Sequence, residues 1–184
     1  MTQPIVLVAH ASLPVASVKE LIALARAKPG TLSAATSGTA SAGALTTMMF
    51  KQQTGIAFVT VPYKGGAALN GLLGGEVQFY FSSMTSSSGA MRSGKVKVLG
   101  TASKTRLPAM PEIPTFLESG LVGLDLVPWD GLVAPAKTPR VIIDRLYREV
   151  ARVLKLPEVL EKLSAVGSSP IGNPPEECAA DSKR

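Results

Sequence analysis

The stretch "TLSAATSGTASAGALTTMMF", residues 31–50, decides how this chain is read. "TLSAATS" has the small, buried character of a short strand. "GALTTMMF" opens a helix that runs to about Gln53 and stops at Thr54-Gly55. Between them lies a loop almost bare of side chain, with glycines at 38 and 43. Such a loop lets main-chain amides come close to another group, and at a helix N-terminus that group is usually an anion.

Working outward, the strand–helix unit repeats. "PIVLVAH" reads as a buried strand, and "SVKELIALARAKPG" as a helix with a capping box, Ser17 with Glu20, closing at Pro29-Gly30. "AFVTVPY" is a β-branched strand, "KGG" a turn and "AALNGLLGG" a short helix. "VQFYF" is a strand, "SSMTSSSGAMRSG" a polar loop or weak helix, and "KVKVLGTAS" a further strand. Alternation of this kind predicts an α/β fold with a mostly parallel sheet and helices on both faces. Past residue 110 the character changes. "PEIPTFLESGL" reads as a short helix introduced by proline and "LVPWDGLVAPAKTP" as a Pro-rich link. "TPRVIIDRLYREVARVL" is a long amphipathic helix, with Thr138 expected as N-cap and Pro139 in the first helical position. Two shorter helices, "PEVLEKLSAVG" and "PPEECAADSKR", follow. The expected division is an α/β lobe over residues 4–126, a link over 127–138 and a C-terminal segment over 139–184.

Composition narrows the function classes. Hydrophobic residues make up 46% and charged residues 17% of the 184, enough for a packed core. Aromatics are only 5%, so that core is aliphatic and small-residue rich. The formal charge of +6 suits anionic ligands, but Lys and Arg are scattered and no aromatic-interleaved basic cluster exists, which argues against nucleic acid as a partner. Cys178 and His10 are each alone in the sequence, so neither an intrachain disulfide nor a Cys- or His-based metal site is expected, nor any cofactor. The apolar run over residues 4–9 is far short of the ~20 residues that span a bilayer. Nothing after Met1 has the form of a signal peptide, so the chain as written is expected in the cytoplasm.

The bare loop has the glycine spacing of a phosphate loop, but Ala44-Leu45 stand where Lys-Ser/Thr would hold phosphate and magnesium. Two readings stay open for it. One is a carboxylate seat made by loop amides and the hydroxyls of Thr36, Ser37, Thr39 and Ser41 around Gly38; the other is an ordinary turn with Ser41 as N-cap. "VPYKGGAAL" repeats the arrangement with Lys64, Gly65, Gly66 and Ala67, and a third strand ends at Ser82-Ser83. Ligands of open α/β sheets bind outside the carboxyl ends of strands, so three such loops make half a pocket. Lys64 is either an acid-neutralising group or a solvated lysine, and Trp129 either lines a cleft or packs at the boundary. No nucleophile elbow and no base–nucleophile constellation can be assembled, so catalysis is not expected.

"SLPVASVKELIALARAKPGTLSAATSGTASAG", "VTVPYKGGAALNGLLGGEVQFYFSS", "SGKVKVLGTASKTRLPAMPEIPTFLESGL" and "WDGLVAPAKTPRVIIDRLYREVARVLKLPEVLEKLSAVG" together resemble the Bug family. These are the solute receptors of tripartite tricarboxylate transporters. The resemblance runs over roughly residues 4–180. It implies one lobe of a two-lobed periplasmic clamshell, with the C-terminal segment returning to an incomplete other lobe. It also implies a small carboxylate as ligand and membrane transporter subunits as partners. By position, the implied contacts are residues 36–41 and 64–67, Ser82 and Trp129. The chain departs from the family pattern at Ala44, where His is frequent, near Met48, where an acidic residue is frequent, and at Ser82, where Asp is frequent. Loss of that Asp puts in doubt a ligand bearing an amine. The family's signal peptide and leading half-lobe precede what this sequence matches. An effector-binding domain of a LysR-type regulator is the alternative, and an enzyme a third reading.

The amphipathic helix after Pro139 carries Ile142, Ile143, Leu146, Val150, Val153 and Leu154 on one face. At about 1.5–3 kcal/mol per fully buried side chain, leaving that face wet forfeits on the order of 10 kcal/mol. That rivals the ~5–15 kcal/mol stability of a whole domain. Self-association, as a two-fold dimer, is therefore expected of the chain.

Overall fold

The computed structural model describes residues 1–181. Its first half builds one five-stranded sheet. The strands are β1 (Ile5–His10), β2 (Ser33–Thr36), β3 (Val59–Pro62), β4 (Phe79–Ser83) and β5 (Val96–Thr101), in the order β3-β2-β4-β1-β5. Four of them run the same way, and β1 alone opposes its neighbours β4 and β5. The sheet is thus mostly parallel, with one reversed strand inside it. That reversal brings the start of β1, where Ile5 pairs with Ser83, to the edge at which the other strands end.

Helices cover both faces. α1 (Val18–Ala27) and α2 (Ala42–Thr54) enclose a core of Ile5, Leu7, Leu21, Phe50, Phe79, Phe81, Leu99 and Phe116. α3 (Ala67–Leu73) and α4 (Met84–Arg92) enclose the opposite one, with Val6, Val8, Leu72, Tyr80 and Met84. Alternate residues of β1 go to opposite cores, so "IVLVA" is apolar throughout because both its faces are buried. The phenylalanines concentrate on one side, where Phe50, Phe58, Phe79, Phe81 and Phe116 form a chain of tilted and edge-to-face contacts.

Local signals act as the sequence predicts. The Ser17 side chain accepts the Glu20 amide, and Glu20 in turn accepts from the Ala16 amide. Gly55 ends α2 in the left-handed region at φ 65°. The serine-rich segment resolves into helix α4, capped by Ser83, whose side chain accepts from the Ser86 amide. Two elements differ. Residues 111–121 form no helix but a single turn, in which Thr115 and Glu118 exchange capping bonds of 2.7 and 3.1 Å before Gly120 (φ +90°) breaks it. The next helix, α5 (Arg140–Val153), starts one residue later than expected: Pro139 is its N-cap, with extended ψ 140°, and no side chain caps it.

The C-terminal helices are built differently. Among the side chains described, α5, α6 (Pro157–Ala165) and α7 (Pro175–Asp181) bury none fully. Ile142 and Leu146 stay 46% and 41% exposed, and Ile143 and Leu154 are half-buried. Arg140 joins α5 to α7 through Glu176 at 2.5 Å, an exposed ion pair that contributes little. The segment is anchored instead at Ser168 and Ser169. Ser168 is buried beside α4, 3.5 Å from the Thr85 hydroxyl, and Ser169 forms a bridge to Thr2.

Gly43, in the first turn of α2, fixes how closely that helix meets the sheet. A Cβ there would lie inside the Phe81 carbonyl oxygen, a main-chain atom that cannot swing away. Gly89, on the open side of α4, has nothing near it. We expect Gly43→Ala to cost about 1–3 kcal/mol by overpacking. Gly89→Ala should instead stabilise by roughly 0.5–1 kcal/mol through helix propensity. Urea unfolding of both variants checks the pair.

Candidate functional site

Two connections diverge at the sheet's carboxyl edge. After β2 the chain passes to α2 on one face, and after β4, its neighbour in the sheet, it passes to α4 on the other. Where adjacent connections part in this way a crevice opens. Here it is a cleft of ≈ 630 Å³ bordered by Ser37, Ser41, Ala42 and Gly43 after β2, by Gly65 and Gly66 after β3, and by Ser83 and Ser86 after β4. The reversed β1 adds Gln3 and Ile5, and the link adds Pro128 and Asp130.

The cleft floor is polar in main chain more than in side chain. Ser41 and Ser83 are the N-caps of α2 and α4, and each hydroxyl already accepts an amide of its own helix, at 3.1 and 3.2 Å. The other first-turn amides carry the partial positive charge of the helix ends. Ser37 makes no hydrogen bond from its hydroxyl within the protein. Gly66 has φ −66° and open space where a side chain would stand, so any residue would fit the backbone there, and glycine keeps the amides of the loop uncovered. Gly38 is glycine for another reason: its φ of +89° is the left-handed region that makes the turn.

The predicted residues divide accordingly. Ser37, Ser41, Gly65 and Gly66 are brought together at the cleft. Thr39 lies on an adjoining depression of ≈ 440 Å³ that also touches Ser41, Leu45, Met48, Leu126 and Pro128. Thr36 is buried at the end of β2, where its carbonyl accepts the Tyr63 amide at 2.8 Å. Lys64 and Ala67 are exposed in the β3–α3 turn beside the two glycines. Ser82 is 1% exposed, and its hydroxyl donates to the Ser83 carbonyl, while Ser83 takes the cleft position. One residue of strand exchanges faces, and sequence inspection had no means to choose between the two serines. Trp129 is 43% exposed with its ring against Gly131, and its neighbours Pro128 and Asp130 face the cleft.

Gln3, Ile5, Leu69, Tyr80, Phe81 and Asp130 were not anticipated at the site. The Gln3 and Asp130 contributions depend on pairing between residues far apart in sequence. The Gln3 amide donates to the Pro128 carbonyl at 2.8 Å, the Asp130 amide to the Met1 carbonyl at 2.8 Å, and the Gln3 side-chain amide to the Asp130 carboxylate. Thr2 also bridges Trp129 on one side and Ser169 on the other. The start of the chain, the link and the C-terminal segment are stitched together there.

His10 lies at the opposite end of β1, paired in register with Val96 and bonded to the Ser12 hydroxyl at 2.7 Å. Among the described residues no three His, Cys, Asp or Glu side chains gather as a metal site would need. Lys97 and Lys51 are spent on main-chain carbonyls, of Leu13 and Phe58, at 2.7 and 3.1 Å.

The family model of the tripartite tricarboxylate transporter family receptor matches residues 1–178. The chain belongs to this receptor family. Protein BugT of Bordetella pertussis is 34% identical over 175 residues, covering 95% of this chain and 54% of its own length. The solved structure of R. palustris Rpa4515 with adipate superposes with TM-score 0.94 at 32% identity, covering 99% of this chain and 61% of that one. The structure of periplasmic binding protein BugD gives TM-score 0.92 at 31% identity, with 99% and 62% covered. The fold is therefore a periplasmic-binding-protein lobe. The chain spans about half the length of the curated relatives it matches. No helix among the described residues is long and apolar enough to cross a membrane.

The loop carrying Gly65 and Gly66 is steadied from the side. Tyr63 lies against α3 at Gly71, where a Cβ would meet the phenol oxygen at 2.5 Å, and its hydroxyl donates to Glu76 at 2.9 Å. That hydrogen bond, with the nearby negative charge, holds the Tyr63 phenol above its ordinary value. A raised phenol favours the folded state below its unfolded value and loses that contribution as pH rises through its folded one. Removing the acceptor's charge with Glu76→Gln should lower the Tyr63 value, read by ultraviolet titration against Tyr63→Phe as the blank.

Proposed function

We propose that this chain binds a small organic carboxylate as part of the solute receptor of a tripartite tricarboxylate-type transporter, and that it catalyses nothing. The observation that carries the reading is the cleft at the β2/β4 divergence, floored by two capped helix N-termini and the open amides around Gly66. A carboxylate there accepts several N–H groups at once without needing a basic side chain. Support comes from family membership and from adipate, a dicarboxylate, in the R. palustris relative. The ligand site is built by Thr36, Ser37, Gly38, Thr39, Ser41, Lys64, Gly65, Gly66, Ala67, Ser82 and Trp129, with Ser37, Ser41, Gly65 and Gly66 touching the ligand and the others shaping the strand ends, loops and link around it. The place of action is the periplasm, as for the periplasmic binding protein BugD, and the partners are membrane transporter subunits, as the receptor family's description suggests. Residues 4–126 are the ligand lobe, 127–138 the link, and 139–184 the C-terminal return segment of the other, incomplete lobe.

Calorimetric titration with C4–C6 dicarboxylates tests the reading. Gly66→Val, which the backbone accepts without strain, should weaken binding about tenfold or more by covering the amides. If Gly66→Val binds like the parent, the loop is an ordinary turn. If uncharged isosteres stabilise the protein equally well, the anion seat falls.

The wet apolar face of α5 supports a further feature of the 184-residue chain taken alone. Ile142, Leu146, Val150 and Val153, all exposed and on one face, form a surface that a second copy would cover. Light scattering should give the mass of a dimer, and Leu146→Glu should return a monomer. A monodisperse parent monomer would refute self-association.

A further inference from the structure

The cleft's side-chain chemistry is uneven, and the unevenness lies at one residue. Of the fifteen residues around it, Asp130 alone carries a charge. It comes from the link, not from a strand end, and its place is fixed by main-chain bonds to Met1 and from Gln3 to Pro128. The Gln3 side chain donates to one of its carboxylate oxygens. An ionised carboxylate is acceptor-only, with about four lone-pair sites, so beside the Gln3 bond it keeps room to accept a donor from a ligand in the cleft. A second polar group stands nearby without a partner. Tyr80 is 6% exposed, borders the same cleft, and its hydroxyl makes no hydrogen bond within the protein.

A ligand carrying only carboxylates suits the amide floor and meets repulsion at Asp130. An acid that also bears a hydroxyl or an ammonium group suits both, because it gives Asp130 a donor. We propose that Asp130 is the specificity-determining residue of the cleft, selecting acids with a hydrogen-bond donor on their skeleton over plain dicarboxylates. This inference rests on the carboxylate reading above.

Succinate, malate and aspartate share one four-carbon skeleton and add nothing, a hydroxyl or an ammonium group. Each is titrated calorimetrically into the 184-residue protein and into Asp130→Asn, which keeps the acceptor for Gln3 and removes the charge. The parent should bind malate and aspartate about tenfold or more tighter than succinate. The variant should bring succinate level with malate and lose the aspartate preference most. A parent that prefers succinate, or a variant that keeps the parent's order, overturns the role of Asp130 and leaves the carboxylate seat standing. Absence of binding by all three acids to both proteins overturns the seat and this inference together.

Discussion

The contact on which the site depends is the approach of Gly43 to the Phe81 carbonyl. A helix cannot normally come so near a strand, because a Cβ would meet main chain. With glycine there, the first turn of α2 sits against the last residues of β4. The N-caps of α2 and α4, Ser41 and Ser83, then border one cleft although the two helices cover opposite faces of the sheet. The bare loop thus serves two ends. Gly43 permits packing and Gly38 makes the turn, whereas Gly66, in the next loop, combines an ordinary negative φ with open space where a Cβ would stand.

The reversed strand β1 does a related job for the opposite wall. Because it opposes β4, its beginning and not its end reaches the cleft, and residues 1–3 continue past the sheet to pair with residues 128–130. Main-chain bonds across that gap hold the link in place, so a segment rich in proline and poor in regular structure still presents Asp130 at a defined position. The same junction binds Ser169, which ties the C-terminal helices to the lobe at one end while their apolar faces remain wet. A face of that kind offers apolar surface on which a further element can pack.

Much of the lobe was legible because its signals are local. Ser17 with Glu20 marks a helix start, Gly55 marks a stop, and the apolar run from Ile5 to Ala9 marks a strand buried on both sides. The false helix at residues 111–121 shows the limit of such signals. Its capping pair, Thr115 and Glu118, is present and bonded, but Gly120 and Gly123 at positive φ end the turn before a second can form. Periodicity read the α5 face correctly as apolar, yet said nothing about what would cover it.

The sequence by itself determined the α/β lobe and the glycine loops, since these follow from propensities and spacing within a few residues. Only the tertiary structure decided which strand runs backwards, because a continuous apolar run is identical in either direction. Only it chose Ser83 over Ser82 for the cleft, because neighbouring strand residues point to opposite faces and pairing with β1 sets which is which. And only it brought Asp130 to Gln3, because hydrogen bonds between residues more than a hundred positions apart leave no trace in local pattern.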